Sequence, residues 1–190
     1  MERFSAIRRA SATNALARGA LLGLATLFLA ACASTPAPSL EVQQREAEVT
    51  LLRFLENDPS LQAWVDGAYG YAIFPDISKG GFGFGGGFGR GLVFEQGRLV
   101  GRTQVTQATF GAQIGVQSYA QVIFFRDETA LRTYQRENFE FSAQATAVVA
   151  TAGAAATTSY ERGVAVFIMT RSGLMAEATV GGQKFRYEPL

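Results

Sequence analysis

The chain has 190 residues, enough for one domain with extensions, and 48% are hydrophobic, an ordinary share for a folded core. It has no histidine and a single cysteine, Cys32, which excludes Ser-His-Asp triads, Cys-His pairs, the common zinc sites and an intramolecular disulfide. The formal charge is +1; without Glu2, Arg3, Arg8, Arg9 and Arg18 it is about −2, and no basic tract is left for generic nucleic-acid binding.

Those five charges sit in residues 1–31, which read as a secretory signal. Arginines crowd its start, and Ala20 to Ala31 is an apolar run shorter than the ~20 residues a membrane-spanning helix needs. The run ends Leu29-Ala30-Ala31-Cys32, which resembles the bacterial lipobox, so Cys32 is expected to be cleaved free and acylated. Acyl chains contribute ~0.8 kcal/mol per buried methylene and would hold the protein to a membrane. Residues 32–39, rich in Ala, Ser, Thr and Pro, form the tether, and 40–190 the domain.

Leu40 to Asn57 has helical periodicity, with Val42, Val49, Leu52 and Leu55 as the expected buried stripe, widened by Leu51 and Phe54. Its glutamates suit core packing better than a lipid surface. Asp58-Pro59 is an N-cap with Pro at the first helical position. It opens a short helix carrying Leu61, Val65 and the only tryptophan, Trp64, expected as a core anchor beside the glycine strand. Tyr69 to Phe74 reads as a strand, and Asp76 to Gly80, with Lys79, as a turn.

Gly80 to Phe94 alternates. Gly81, Gly83, Gly85, Gly87, Gly89 and Gly91 fall on one face of a strand, and Phe82, Phe84, Phe88, Leu92 and Phe94 on the other. Glycine costs a strand roughly 0.5–1 kcal/mol per position. The run therefore needs a use: flush packing of another element, or a groove open to a ligand. Gly81-x-Gly83-x-x-Gly86 matches a dinucleotide fingerprint, but no helix pattern follows it and no Gly-Lys-Ser/Thr is present, so nucleotide binding is not expected.

Glu95 to Arg98 reads as a hairpin turn. Strands from Leu99 to Thr109 and from Ala112 to Phe125 follow. The second has a polar face of Gln113, Gln117 and Gln121, which suits a hydrated surface or a polar interior. Asp127 caps a helix to Asn138. Phe139 to Thr151 alternates again, with the small residues Ala143, Ala145 and Ala147. Val164 to Met169 is a buried strand, turned at Arg171-Ser172-Gly173 and answered by Leu174 to Val180. The fold class expected is α+β: an antiparallel β-rich single domain with N-terminal helices and one inserted helix.

Tyr69-Gly-Tyr-Ala-Ile-Phe-Pro-Asp-Ile-Ser-Lys79, continuing through the glycine run to Gly91, resembles the signature of the SYLF domain. Phe110 to Ser118 and Ser172 to Glu177 match its pattern as well. The resemblance spans about Asp58 to Tyr187. It implies a phospholipid-binding module with no catalysis, and for bacterial members an exported lipoprotein; no cofactor and no metal site are expected. With Ala33 rather than aspartate after Cys32, the outer membrane facing the periplasm is the expected location. Eukaryotic members meet phosphoinositides through an amphipathic N-terminal helix. Here an acylated tether and an acidic helix take that place, so phosphoinositide and actin binding are not carried over.

The family motif falls on Lys79, Gly80, Gly81, Gly83, Gly86, Gly89 and Gly91. Lys79 is the first candidate for a lipid head group, with Arg90, Arg98 and Arg102 as further cations if they cluster with it, and Phe82 and Phe84 for acyl contact. The alternative is a structural lipoprotein that meets an envelope protein partner through Gln113, Gln117 and Gln121. An enzyme would have to rely on Asp66, Asp76 or a Ser78–Lys79 pair, and adjacent residues of a strand point apart.

Overall fold

The computed structural model describes residues 38–136, 139–142, 148–149 and 151–190, with backbone alone at 112–113, 139–142, 148–149 and 172–181. The segment expected to be a signal, Cys32 and most of the expected tether lie outside the described residues, as do Ala143, Ala145 and Ala147. Ser39–Leu190 forms one compact unit. Its two core clusters draw only on residues between Leu40 and Tyr187, so the unit builds its own interior.

Helix α1 spans Leu40–Asn57, its N-terminus capped by the Ser39 hydroxyl, which accepts from the Val42 amide. It buries Ala47, Thr50 and Phe54, whereas Val42, Val49 and Leu52 are exposed, so the buried stripe is rotated from the expected one. Small Ala47 permits close approach, and Thr50 tolerates burial because its hydroxyl donates to the Glu46 carbonyl at 2.7 Å. Asp58 ends α1 and caps a 3-10 turn, Pro59–Leu61, which runs into α2, Gln62–Gly67.

Three long antiparallel strands follow: β1, Gly70–Glu95; β2, Arg98–Phe125; and β5, Val164–Pro189. Helix α3, Glu128–Gln135, is inserted between β2 and the short strands β3, Phe139–Ser142, and β4, Val148–Val149. The sheet order is β1-β2-β5-β3, with β4 parallel to β5. The fold is thus α+β with a dominant antiparallel sheet. The Gln96-Gly97 hairpin turn has positive φ at both residues, as a tight two-residue turn requires.

Two expected turns and one expected break between strands, from Thr109 to Ala112, are instead irregularities inside continuous strands. Register shifts at Phe74/Ile77 absorb Pro75 and Asp76, and a shift at Ser118/Tyr119, paired with Ser172 and Thr170, leaves Arg171 as the extra residue. Proline has no amide to offer a ladder, and a bulge is where a strand tolerates it. Arg171 secures this spot by donating to the Pro75 carbonyl at 2.8 Å. Between Phe82 and Phe84, Gly83 adopts φ +73°, and across from it Gly111 and Gly115 also have positive φ, so the ladder bends without breaking.

The bend explains the glycines. β1 curls until its second half lies across its first. A Cβ at Gly91 would collide with the Ile73 carbonyl and lie 2.8 Å from the Phe74 ring; one at Gly89 would lie 2.6 Å from Ile77 Cγ1. The glycine face is therefore occupied by the strand's own beginning, which leaves no open groove at Gly89 and Gly91. One core cluster fills the inside of the curl, from Phe74, Ile77, Val105, Ile123 and Phe185 to Leu131 and Tyr134 of α3. The other lies outside, where α1 and α2 cover Ile73, Leu92, Phe94, Val122, Phe124 and Phe167. Trp64 packs there, 5.3 Å from Phe167 and 6.1 Å from Phe124, rather than beside the glycine run.

Candidate functional site

Beyond the cover of α1, the outer face of the curled sheet carries large apolar side chains in solvent. Phe82 is 80% exposed, Phe84 73% and Val116 70%, with Phe110, Ile114 and Phe88 also exposed. Register places Phe84 beside Phe110 and Phe82 beside Ile114, and the Phe84 and Phe110 rings are 4.9 Å apart. At ~150–250 Å² per aromatic side chain, the exposed area is on the order of several hundred Å². That is at or above the largest patch of a typical monomer.

The candidate cations divide between locations. Arg90 and Arg102 lie on the outer face with the phenylalanines, and Arg90 sits 5.4 Å from the Phe88 ring centroid. Lys79 shares the opposite, inner face with Ile77, its ammonium 5.7 Å from the Tyr119 ring centroid. Arg98 stands at the hairpin, opposite Glu95, at the far end of β1. Lys79 and Arg98 therefore do not join Arg90. Two cations missed from the sequence do: Lys184 and Arg186 of β5, in register with Thr106 and Gln104. Their alternation is visible in the sequence, but only the pairing of β5 with β2 puts them on this face. An open groove of about 500 Å³ is lined on this side by Gln104, Thr106, Lys184, Arg186 and Glu188, with Phe185 and Tyr187 between them along β5.

The glutamine face turns inward. Gln121 is fully buried and exchanges amide hydrogen bonds with Gln183, and Tyr119 donates to Gln107 Oε1 at 2.9 Å and accepts from Gln183. A protein-docking surface built on Gln117 and Gln121 is thus not available as expected; Gln117 is half-buried, and the side chain of Gln113 lies outside the described residues. Ser78 and Lys79 lie on a continuous strand, and Ser78 donates to Asp76 instead. Asp66 accepts from Gln62 on α2. Among the described residues no three carboxylates or thiols gather as a metal site.

Charged groups behave differently at the hairpin end. Arg132 of α3 reaches Glu95 at 2.8 Å and Glu128 at 3.4 Å, while Tyr69 donates to Glu95, which raises the tyrosine's pKa. Burial drives the Tyr134 hydroxyl far upward, against a 2.7 Å hydrogen bond with Thr103. In turn Thr103 donates to the Arg186 carbonyl at 3.1 Å, fixing β5 beneath the outer cations.

A model of the family described as Ysc84, Las17-binding protein actin regulator, matches residues 106–188, from the distal part of β2 to the end of β5. The match is to a SYLF-family domain, in keeping with the resemblance read from the sequence. Two of the three sequence stretches that carry the resemblance lie in it; the Tyr69 to Gly91 stretch precedes it. The chain is also 28% identical over 142 residues to Beta cell expansion factor A of Aeromonas veronii, covering 73% of this chain and 53% of that protein. This chain thus spans about half the length of that curated relative. Neither description names an enzymatic activity.

Proposed function

We propose that this SYLF protein is a non-catalytic phospholipid-binding module of the bacterial cell envelope, tethered through acylated Cys32 and facing the periplasm from the outer membrane. The observation that carries the reading is the exposed apolar edge Phe82, Phe84, Phe88, Phe110, Ile114 and Val116, placed beside Arg90 on one face. Apolar rings would enter the acyl boundary while cations stay at the phosphate level. No described helix is long and apolar enough to cross a membrane, so the contact we propose is peripheral.

Vesicle co-sedimentation of residues 33–190 tests this. Binding to anionic vesicles, weakened by salt, is the expected result. Phe84→Ser with Phe110→Ser should lower it about tenfold or more, since burying one such ring contributes ~1.5–3 kcal/mol. Absence of binding to any vesicle would sink the reading. The second reading, an envelope protein partner, is favoured by a separate observation: the exposed Val42, Val49 and Leu52 along α1. It predicts a partner lost on Val49→Ser with Leu52→Ser while the phenylalanine edge is intact.

A further inference from the structure

We infer that the outer face of β1, β2 and β5 holds a phosphate-binding subsite centred on Arg90, Gln104 and Arg186; as a lipid head-group site it rests on the reading above, but its chemistry stands independently of it. Register sets these three residues side by side, Arg90 opposite Gln104 and Gln104 opposite Arg186. Side chains paired across antiparallel strands share a face, and strands lie about 4.8 Å apart. The arginines therefore straddle Gln104 with α-carbons about 10 Å apart, within reach of one phosphate between them. Thr106, one row nearer the phenylalanines, adds a hydroxyl; Arg102, one row the other way, adds a third guanidinium.

Three features make this more than scattered charge. Among the described residues Arg90, Arg102 and Arg186 form no ion pair, although Glu188 lies on the same face opposite Arg102. Charges at the hairpin end, by contrast, are matched at 2.8 Å. The Arg90 guanidinium lies over the Phe88 ring, which orients it and leaves its N–H edges for an anion. The floor is fixed from the inside, because the Thr103 hydroxyl holds the Arg186 carbonyl and is itself bonded to buried Tyr134. Lys184 lies in the next row, opposite Thr106.

The ligand is a phosphate group, borne either by a phospholipid head group or by a soluble phosphate compound. The test compares residues 33–190 with Arg90→Gln/Arg186→Gln, using Arg98→Gln as a control at the far hairpin, all with unchanged thermal melts. Inorganic phosphate is titrated by calorimetry, and phosphatidylcholine vesicles with and without phosphatidylglycerol are co-sedimented. The double variant should bind phosphate or anionic vesicles at least ~tenfold more weakly, the loss of charge-assisted hydrogen bonds, while Arg98→Gln is unchanged. A loss in the vesicle arm assigns the phosphate to the lipid. A loss with inorganic phosphate alone assigns it to a soluble compound, and the subsite then stands even if no vesicle binds. Equal binding by the double variant and the control in both arms overturns the subsite, and leaves the lipid reading intact if anionic vesicles still bind.

Discussion

The same three strands pass through two different environments. Near the helices, Ala72-Ile73-Phe74, Val122-Ile123-Phe124 and Ala165-Val166-Phe167 are buried on both faces, one toward the inside of the curl and one toward α1 and α2. Around the bend, away from the helices, β1 and β2 leave Phe82, Phe84, Phe88, Phe110, Ile114 and Val116 in solvent on the outer face. Double burial turns a strand into a continuous apolar run, and single burial into an alternating one. The difference teaches which apolar residues build the fold and which are spare. Among the described residues the phenylalanines around the bend cover nothing, and that is why we propose a ligand for them.

The largest expected effect tests this division directly. Phe124→Ala should cost about 3–5 kcal/mol, because the ring is fully buried between Trp64, Tyr71 and Phe167 and its loss leaves a cavity. Phe84→Ala should change stability by less than ~0.5 kcal/mol. Urea unfolding of both variants checks it, and an equal loss would erase the distinction between the two halves.

A second contrast concerns the bend. Gly91→Ala should cost about 1–3 kcal/mol, because the added methyl meets the Ile73 carbonyl and the Phe74 ring. Gly86→Ala meets only the Gln107 carbonyl at 3.8 Å and should be close to neutral. If thermal melts show Gly91→Ala to be as harmless as Gly86→Ala, then β1 does not close on itself as described.

Legibility in the sequence followed the same division. Local signals read well: the extent of α1, the Asp58 and Asp127 caps, the Gln96-Gly97 turn and the glycine–phenylalanine alternation all depend on neighbours in the chain. What failed was continuity. Pro75, Gly111 and Arg171-Ser172-Gly173 are ordinary turn or breaker signals, and only pairing with long neighbouring strands converts them into bulges and bends. That error hid the site. With a turn assumed at Asp76 to Gly80, nothing showed that Lys79 lies on the glycine face, whereas the alternation itself already puts Arg90 with the phenylalanines. With β5 cut at Arg171, Arg186 had no partner strands at all. The stripe of α1 was misjudged for a related reason: hydrophobicity favours Val42 and Val49, but the small Ala47 and the self-bonded Thr50 set the depth of packing against β1.

The proximal half also depends on one buried carboxylate, and pH is the way to probe it. Asp58 is fully buried and accepts from the Ser60 hydroxyl at 2.6 Å and from the amides of Ser60, Gly153 and Ala155, clasping the end of α1 to the loop before β5. Burial pushes its pKa up, but these donors outweigh it and hold the carboxyl below its ordinary value. A group with a lowered folded pKa contributes stability that is complete above its unfolded value and fades as pH falls through the folded one. Asp58→Ala should cost about 1–2 kcal/mol at neutral pH, as lost caps do, and its deficit should shrink at low pH. Trp64 reports the event locally, since its indole donates to the Ala155 carbonyl in the same loop. Acid should therefore shift its fluorescence in the wild-type chain, and a deficit independent of pH would mean that the clasp acts through shape alone.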